Sequence, residues 1–138
     1  MTVSHSGTYV QLPKLGLAQI LAADTTTRKT LVTGDVDGNK ITAINACSTD
    51  NGNDRVVQIW VSRGGLFYLL NTVNVPLTSG FVIGIPPVSL MNGWVGLPLD
   101  NDGQRYFHLM SGDVLSVAVT VTMSAAKEVD VMAVYGSF

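Results

Sequence analysis

Residues 114–121 read Val-Leu-Ser-Val-Ala-Val-Thr-Val, an alternation that sends Leu115, Val117, Val119 and Val121 to one face and smaller or polar side chains to the other. A period of two marks a half-buried β-strand, because successive side chains leave a strand on opposite sides. The pattern recurs at 55–62, where Val57, Ile59 and Val61 share a face, Gln58 lies opposite, and Trp60 adds bulk that a second layer could cover. It recurs again at 129–135, where Val129, Val131, Ala133 and Tyr135 alternate against Asp130, Met132 and Val134. Short segments rich in β-branched or aromatic residues at 17–22, 29–33, 41–47, 66–73, 81–85 and 106–110 are further strand candidates. Between them stand the residues that tight turns demand: Asp37-Gly38-Asn39, Asn51-Gly52-Asn53, Arg63-Gly64-Gly65, Asp102-Gly103 and Ser111-Gly112-Asp113.

No long window shows a clean helical period, and the best candidate, residues 15–24, is uncapped and equally strand-like. The expected fold is therefore all-β: a jelly-roll-like antiparallel β-sandwich of about eight strands, with an immunoglobulin-like sandwich as the next arrangement. The immunoglobulin Cys…Trp…Cys signature is missing, since Cys47 is the one cysteine. The 138 residues suit one domain with a core that needs neither disulfide nor metal. Residues 16–138 form the sandwich in this reading, and residues 1–15, with Pro13 and few strand signals, form an N-terminal arm that could lie on a neighbour. The first 24 residues lack the basic and apolar regions of a signal peptide, so synthesis and retention in a cytoplasm is the expectation.

Charge narrows function further. Only 13% of residues are charged, against about 25% in an ordinary soluble domain, and eight Lys plus Arg against ten Asp plus Glu leave no basic footprint for nucleic acid. Residues 64–99 contain no Lys, Arg, Asp or Glu. Asn71, Asn74, Pro76, Pro86 and Pro87 interrupt that stretch too often for a membrane-spanning helix. A neutral surface suits protein contact, because desolvating an unpaired charge is costly.

Chemistry is sparse. Asp35-Val36-Asp37-Gly38-Asn39 opens like a calcium loop, but Lys40 stands where glycine is needed and Ala46 where the bidentate glutamate is needed. Asp100-Asn101-Asp102-Gly103 fails in the same way, at Arg105 and Ser111. His5 and His108 are far apart, and Cys47 closes a strand candidate, where a thiol is ordinarily a small buried hydrophobe. No hydrolase serine elbow or phosphate loop occurs, Glu128 is the one glutamate, and the aspartates cluster in turns. These patterns predict no enzyme, no metal and no cofactor. Trp60 and Trp94 are the candidates for sugar stacking, with burial in a core or contact as the default, so a carbohydrate-binding module is the alternative function.

Three stretches carry a family resemblance: ITAINACSTDNGNDRVVQIWVSRGGLFYLLNTVNVP at 41–76, Gly96-Leu97-Pro98-Leu99-Asp100 followed by Gly103 and Tyr106, and the ending Glu128-Val129-Asp130-Val131 through Gly136-Ser137-Phe138. Together they resemble the capsid cement, or decoration, proteins of tailed bacteriophages, of the kind seen on a short-tailed Bordetella phage. The resemblance implies a jelly-roll-like fold, no catalysis, a place on the capsid exterior after synthesis in the host cytoplasm, and a grip on the major capsid protein. It also implies self-association across the capsid lattice; a homodimer is the expected state, with a trimer as the alternative, and the charge balance and the interrupted apolar stretch predict no nucleic-acid or membrane partner. A tail or neck component would share these features. No functional residue carries over by motif. The contact residues expected on physical grounds are Tyr9, Leu12 and Leu15 in the arm and Phe81, Ile83, Leu90, Met91 and Trp94 in the neutral stretch.

Overall fold

At residues 55–59 and 128–134 the chain buries every second side chain, as the alternation predicts, whereas residues 115–119, expected to be half-buried, are buried on both faces, Ser116 and Ala118 included. The computed structural model describes residues 12–138, which form two antiparallel sheets. The strands are β1 (Leu12–Leu21), β2 (Lys29–Thr33), β3 (Asn39–Ser48), β4 (Arg55–Arg63), β5 (Leu66–Val75), β6 (Val88–Ser89), β7 (Phe107–Leu109), β8 (Val114–Val119) and β9 (Glu128–Ser137). Sheet A runs β1-β9-β3-β6 and sheet B runs β2-β8-β4-β5. β7 also pairs with β3, at Asn39 to Ile41, while β6 pairs at Asn45 and Ala46, so these two short strands share the lane beyond β3. Counted as one lane, they complete eight lanes in the order of a jelly roll, with the chain passing between sheets at every connection except β4 to β5 and, inside the shared lane, β6 to β7.

The core lies between the sheets. Ile20, Ile41, Ile44 and Val131 from sheet A meet Val57, Ile59, Leu115 and Val117 from sheet B, all at 2% exposure or less. The β4–β5 turn is a two-residue loop in which Gly64 (φ 61°) and Gly65 (φ 79°) both adopt the positive angles that match the twist of a hairpin.

Four departures from the sequence reading have local causes. Residues 81–85, expected as a strand, fold instead into consecutive turns closed by Phe81 N–H to Thr78 O and Ile85 N–H to Val82 O. Leu90 and Met91, expected at the surface, are core residues at 0% and 5% exposure, drawn inward where Leu90 N–H reaches Ile44 O. β1 begins at Leu12 and pairs residues 12–15 with Ser137 to Val134 of β9, so those residues belong to the sheet and not to the arm. β8 ends at Val119, and Val121 stands 65% exposed because the chain leaves the ladder and offers the Thr122 carbonyl to Arg55.

Candidate assembly surface

The outer face of sheet A is built by register. Leu15 lies opposite Val134, which lies opposite Ala43; Leu17 lies opposite Met132, which lies opposite Asn45; Gln19 lies opposite Asp130, which lies opposite Cys47. The first two rows are mainly apolar and remain open, with Leu15 and Leu17 60% and 70% exposed. Between Leu17, Met132, Asn45, Cys47 and Pro87 the face sinks into a depression of about 580 Å³. Its polar edge is a single network in which the Gln19 side-chain amide donates to Glu128 and to Asp130. The bond between Glu128 and Asp130, and then the loss of solvent, raise the Glu128 carboxyl above its ordinary range.

Beside the depression stands the connection from β5 to β6, residues 76–87. Gly80 lies so close to the face that a Cβ there would sit 2.5 Å from Cys47 Sγ and 3.1 Å from Pro87 Cγ, and its φ of 70° favours glycine again. The next three residues, Phe81, Val82 and Ile83, form an uncharged tip, with Ile83 wholly exposed and Phe81 64% exposed. Ser48 N–H to Ser79 O (2.8 Å), Thr78 N–H to Asp50 O (2.9 Å) and Leu77 N–H to Asp54 Oδ1 (2.9 Å) hold its base.

That base rests on a buried ion pair. Asp50 accepts from Arg55 Nε at 2.9 Å and Nη2 at 2.5 Å, and from the amides of Gly52 and Asn53 at 2.9 and 3.0 Å. Arg55 Nη1 also donates to the Thr122 carbonyl. Burial alone would push the Asp50 carboxyl up; the Gly52 and Asn53 amides and Arg55 outweigh it and bring the carboxyl down to about 2. The pair thus ties the loops after β3, β5 and β8 at one end of the sandwich.

A second apolar region lies on the edge strand of sheet B. Leu66, Phe67, Tyr68 and Leu69 follow one another at 62%, 47%, 50% and 48% exposure. A bidentate contact from Arg63 to Asp113, at 2.8 and 2.6 Å, fixes the hairpin to the start of β8. On the outer face of this sheet the Arg28 guanidinium lies 4.2 Å from the centroids of both Trp60 and Phe67, a cation–π stack that covers the indole.

Of the contact residues expected from sequence, Leu15 stands on the outer face of sheet A, Phe81 and Ile83 are exposed in the loop whose Gly80 lies against Cys47 of that face, and Leu12 is exposed at the start of β1. Trp94 is half-buried against the core and stacks on Phe107 at 4.8 Å between centroids. Tyr9 lies outside the described residues. Leu17, Met132, Val134 and the run from Leu66 to Leu69 were not among the expected residues. Their signal is that strands β1, β9 and β5 carry large apolar residues in both parities, more than one core can absorb.

Other chemistry does not converge. His108 pairs with Lys40 at one end of β3 while Cys47 sits seven residues along the same strand, roughly 23 Å away at strand rise. Burial, and then Lys40, hold the His108 pKa below its ordinary value. Among the described residues no group of three or more His, Cys, Asp or Glu could hold a metal ion, and no helix is long and apolar enough to cross a membrane.

Strand order and sheet pairing define the chain as a jelly-roll β-sandwich. Comparison with models of protein families and with curated proteins found no match to it.

Proposed function

We propose that the chain is a structural virion protein that binds the outside of a phage capsid and stabilises the lattice of the major capsid protein. The observation that carries this reading is the behaviour of the uncharged stretch at 64–99. It turns large side chains outward, with Leu66 to Leu69 on an edge strand and Phe81 to Ile83 on a loop held from beneath. Scattered exposed hydrophobics are ordinary, but uncharged apolar groups concentrated on an edge strand and a loop mark a surface made for another protein. The resemblance to cement proteins favours the major capsid protein as that partner, with further copies of the chain alongside. A tail or neck role would use the same surface on a different lattice. The glycan alternative draws less support, because Trp60 already stacks on Arg28 and Trp94 on Phe107.

Many small contacts across a shell add up, since each copy contributes area that resists separation of neighbouring subunits. Association through apolar burial should depend weakly on salt. The test is the temperature at which shells assembled without the chain break apart, measured with and without added protein. A saturable rise that persists at high salt is the expected result; an unchanged break-up temperature at saturating protein overturns the proposal.

A further inference from the structure

The outer face of sheet A holds two features of opposite shape side by side. One is the depression between Leu17 and Met132, and the other is the exposed, uncharged Phe81-Val82-Ile83 tip of the loop that Gly80 N–H to Ile85 O closes at the depression wall. Gly80 joins them, being one residue from the tip and in contact with Cys47 and Pro87 of the depression wall. We infer that two copies of this chain pack face to face through sheet A, the Phe81–Ile83 tip of each seated in the Leu17–Met132 depression of the other. The inference deepens the assembly role proposed above and names the surface that a second copy would use.

Symmetry favours this occupant. A two-fold contact requires each copy to present a patch and its complement together, and a tip beside a socket on one face does so. The area is also appropriate. With about 200 Å² for a whole aromatic residue and about 100 Å² for a whole aliphatic side chain, the exposed parts of Leu15, Leu17, Phe81, Val82 and Ile83 amount to roughly 400 Å². Apolar atoms make up about 57% of a protein contact, so that figure corresponds to roughly 700 Å² per partner, close to the roughly 800 Å² of a standard interface. The tip has no charge, so it can enter the socket without stranding an ion; Asp130 remains at the rim, bonded to Gln19. The Leu66–Leu69 edge stays open in such a pair and is left for the shell.

The test uses the full chain, with mass followed by light scattering and sedimentation over a concentration series, and with thermal unfolding as the check on folding. Two exposed positions are changed, Ile83→Asp on the tip and Leu17→Lys in the socket. Wild type is expected at twice the chain mass, and each variant alone should associate about 100-fold more weakly, as for a central contact residue. Mixing the variants should restore the pair, because one contact is then native and the other joins Asp to Lys. A wild type monomeric up to its solubility limit, a threefold mass, variants that associate like wild type, or a mixture no better than its parts would each overturn the inference. A monomer that still binds shells sinks this inference and leaves the capsid role standing; a dimer that ignores shells does the reverse.

Discussion

On sheet B the Arg28 guanidinium lies across the Trp60 and Phe67 rings, so the outer face of that sheet carries its own cover over Trp60, while the Leu66–Leu69 edge stays open. On sheet A, Leu15 and Leu17 stand opposite Val134 and Met132 and remain largely open. Both faces are strand surfaces with apolar side chains turned away from the core, and they differ in whether the chain supplies the cover. A side chain covered from within contributes to folding, and one left bare contributes chiefly when a partner arrives. The same distinction separates the two ends of the uncharged stretch: Leu90 and Met91 fold into the core, whereas Leu66 to Leu69 do not.

The most severe way to break this contrast is to remove the support common to both sheets. Arg55→Ala would strand the Asp50 carboxylate at 1% exposure, a loss of about 3–5 kcal/mol that denaturant titration should register. The pH dependence follows the same group. Its carboxyl sits near 2 in the folded chain and about 3.9 when unfolded, so its stabilisation is complete above about pH 4 and disappears as pH falls towards 2. Acid unfolding of the Arg55→Ala variant should accordingly begin at higher pH than that of wild type.

Next in size is a direct comparison of the faces. Trp60→Ala, on the covered face, should cost the isolated chain about 2 kcal/mol, below the range for a fully buried tryptophan because Trp60 is half-buried. Leu17→Ala, on the open face, should cost no more than about 0.5 kcal/mol. Equal losses would show that sheet A is as self-sufficient as sheet B.

The smallest effect concerns the acidic edge of the depression. Because Glu128 titrates above its ordinary value beside Asp130, the folded state holds its proton more tightly than the unfolded chain does. Stability from this pair therefore rises as pH falls through the raised value and is absent above it. Asp130→Asn should return the Glu128 titration, followed by NMR, towards the ordinary carboxylate range. A Glu128 midpoint that does not move would remove Asp130 as the cause.

Much of the fold was legible in the sequence because burial imposes a period of two wherever a strand has one wet face. Val129 to Tyr135 shows it plainly, and the glycine turns between strands punctuate it; Val114 to Val119 carries the same alternation, yet its second face, with Ser116 and Ala118, is buried as well. Residues 81–85 defeat this logic, since β-branched residues favour a strand only where another strand is present to pair. β6 is two residues long and carries no period at all. The candidate surface was half legible. The absence of charge at 64–99 identified a neutral region, but charge absence alone cannot separate Leu90, which the β6 connection turns inward, from Ile83, which a turn holds outward. Alternation in β9 grouped Met132 with Val134, yet the face they share became visible only once β1 brought Leu15 and Leu17 beside them.

The central claim is that this jelly roll exists to cover a shell, and co-sedimentation tests it most directly. Purified chain is mixed with capsid shells assembled without it, and the pelleted protein is measured as concentration rises, at low and at high salt. Binding that saturates at a fixed ratio to capsid subunits, little altered by salt, is the predicted result. A chain that stays in the supernatant at every concentration would contradict the account.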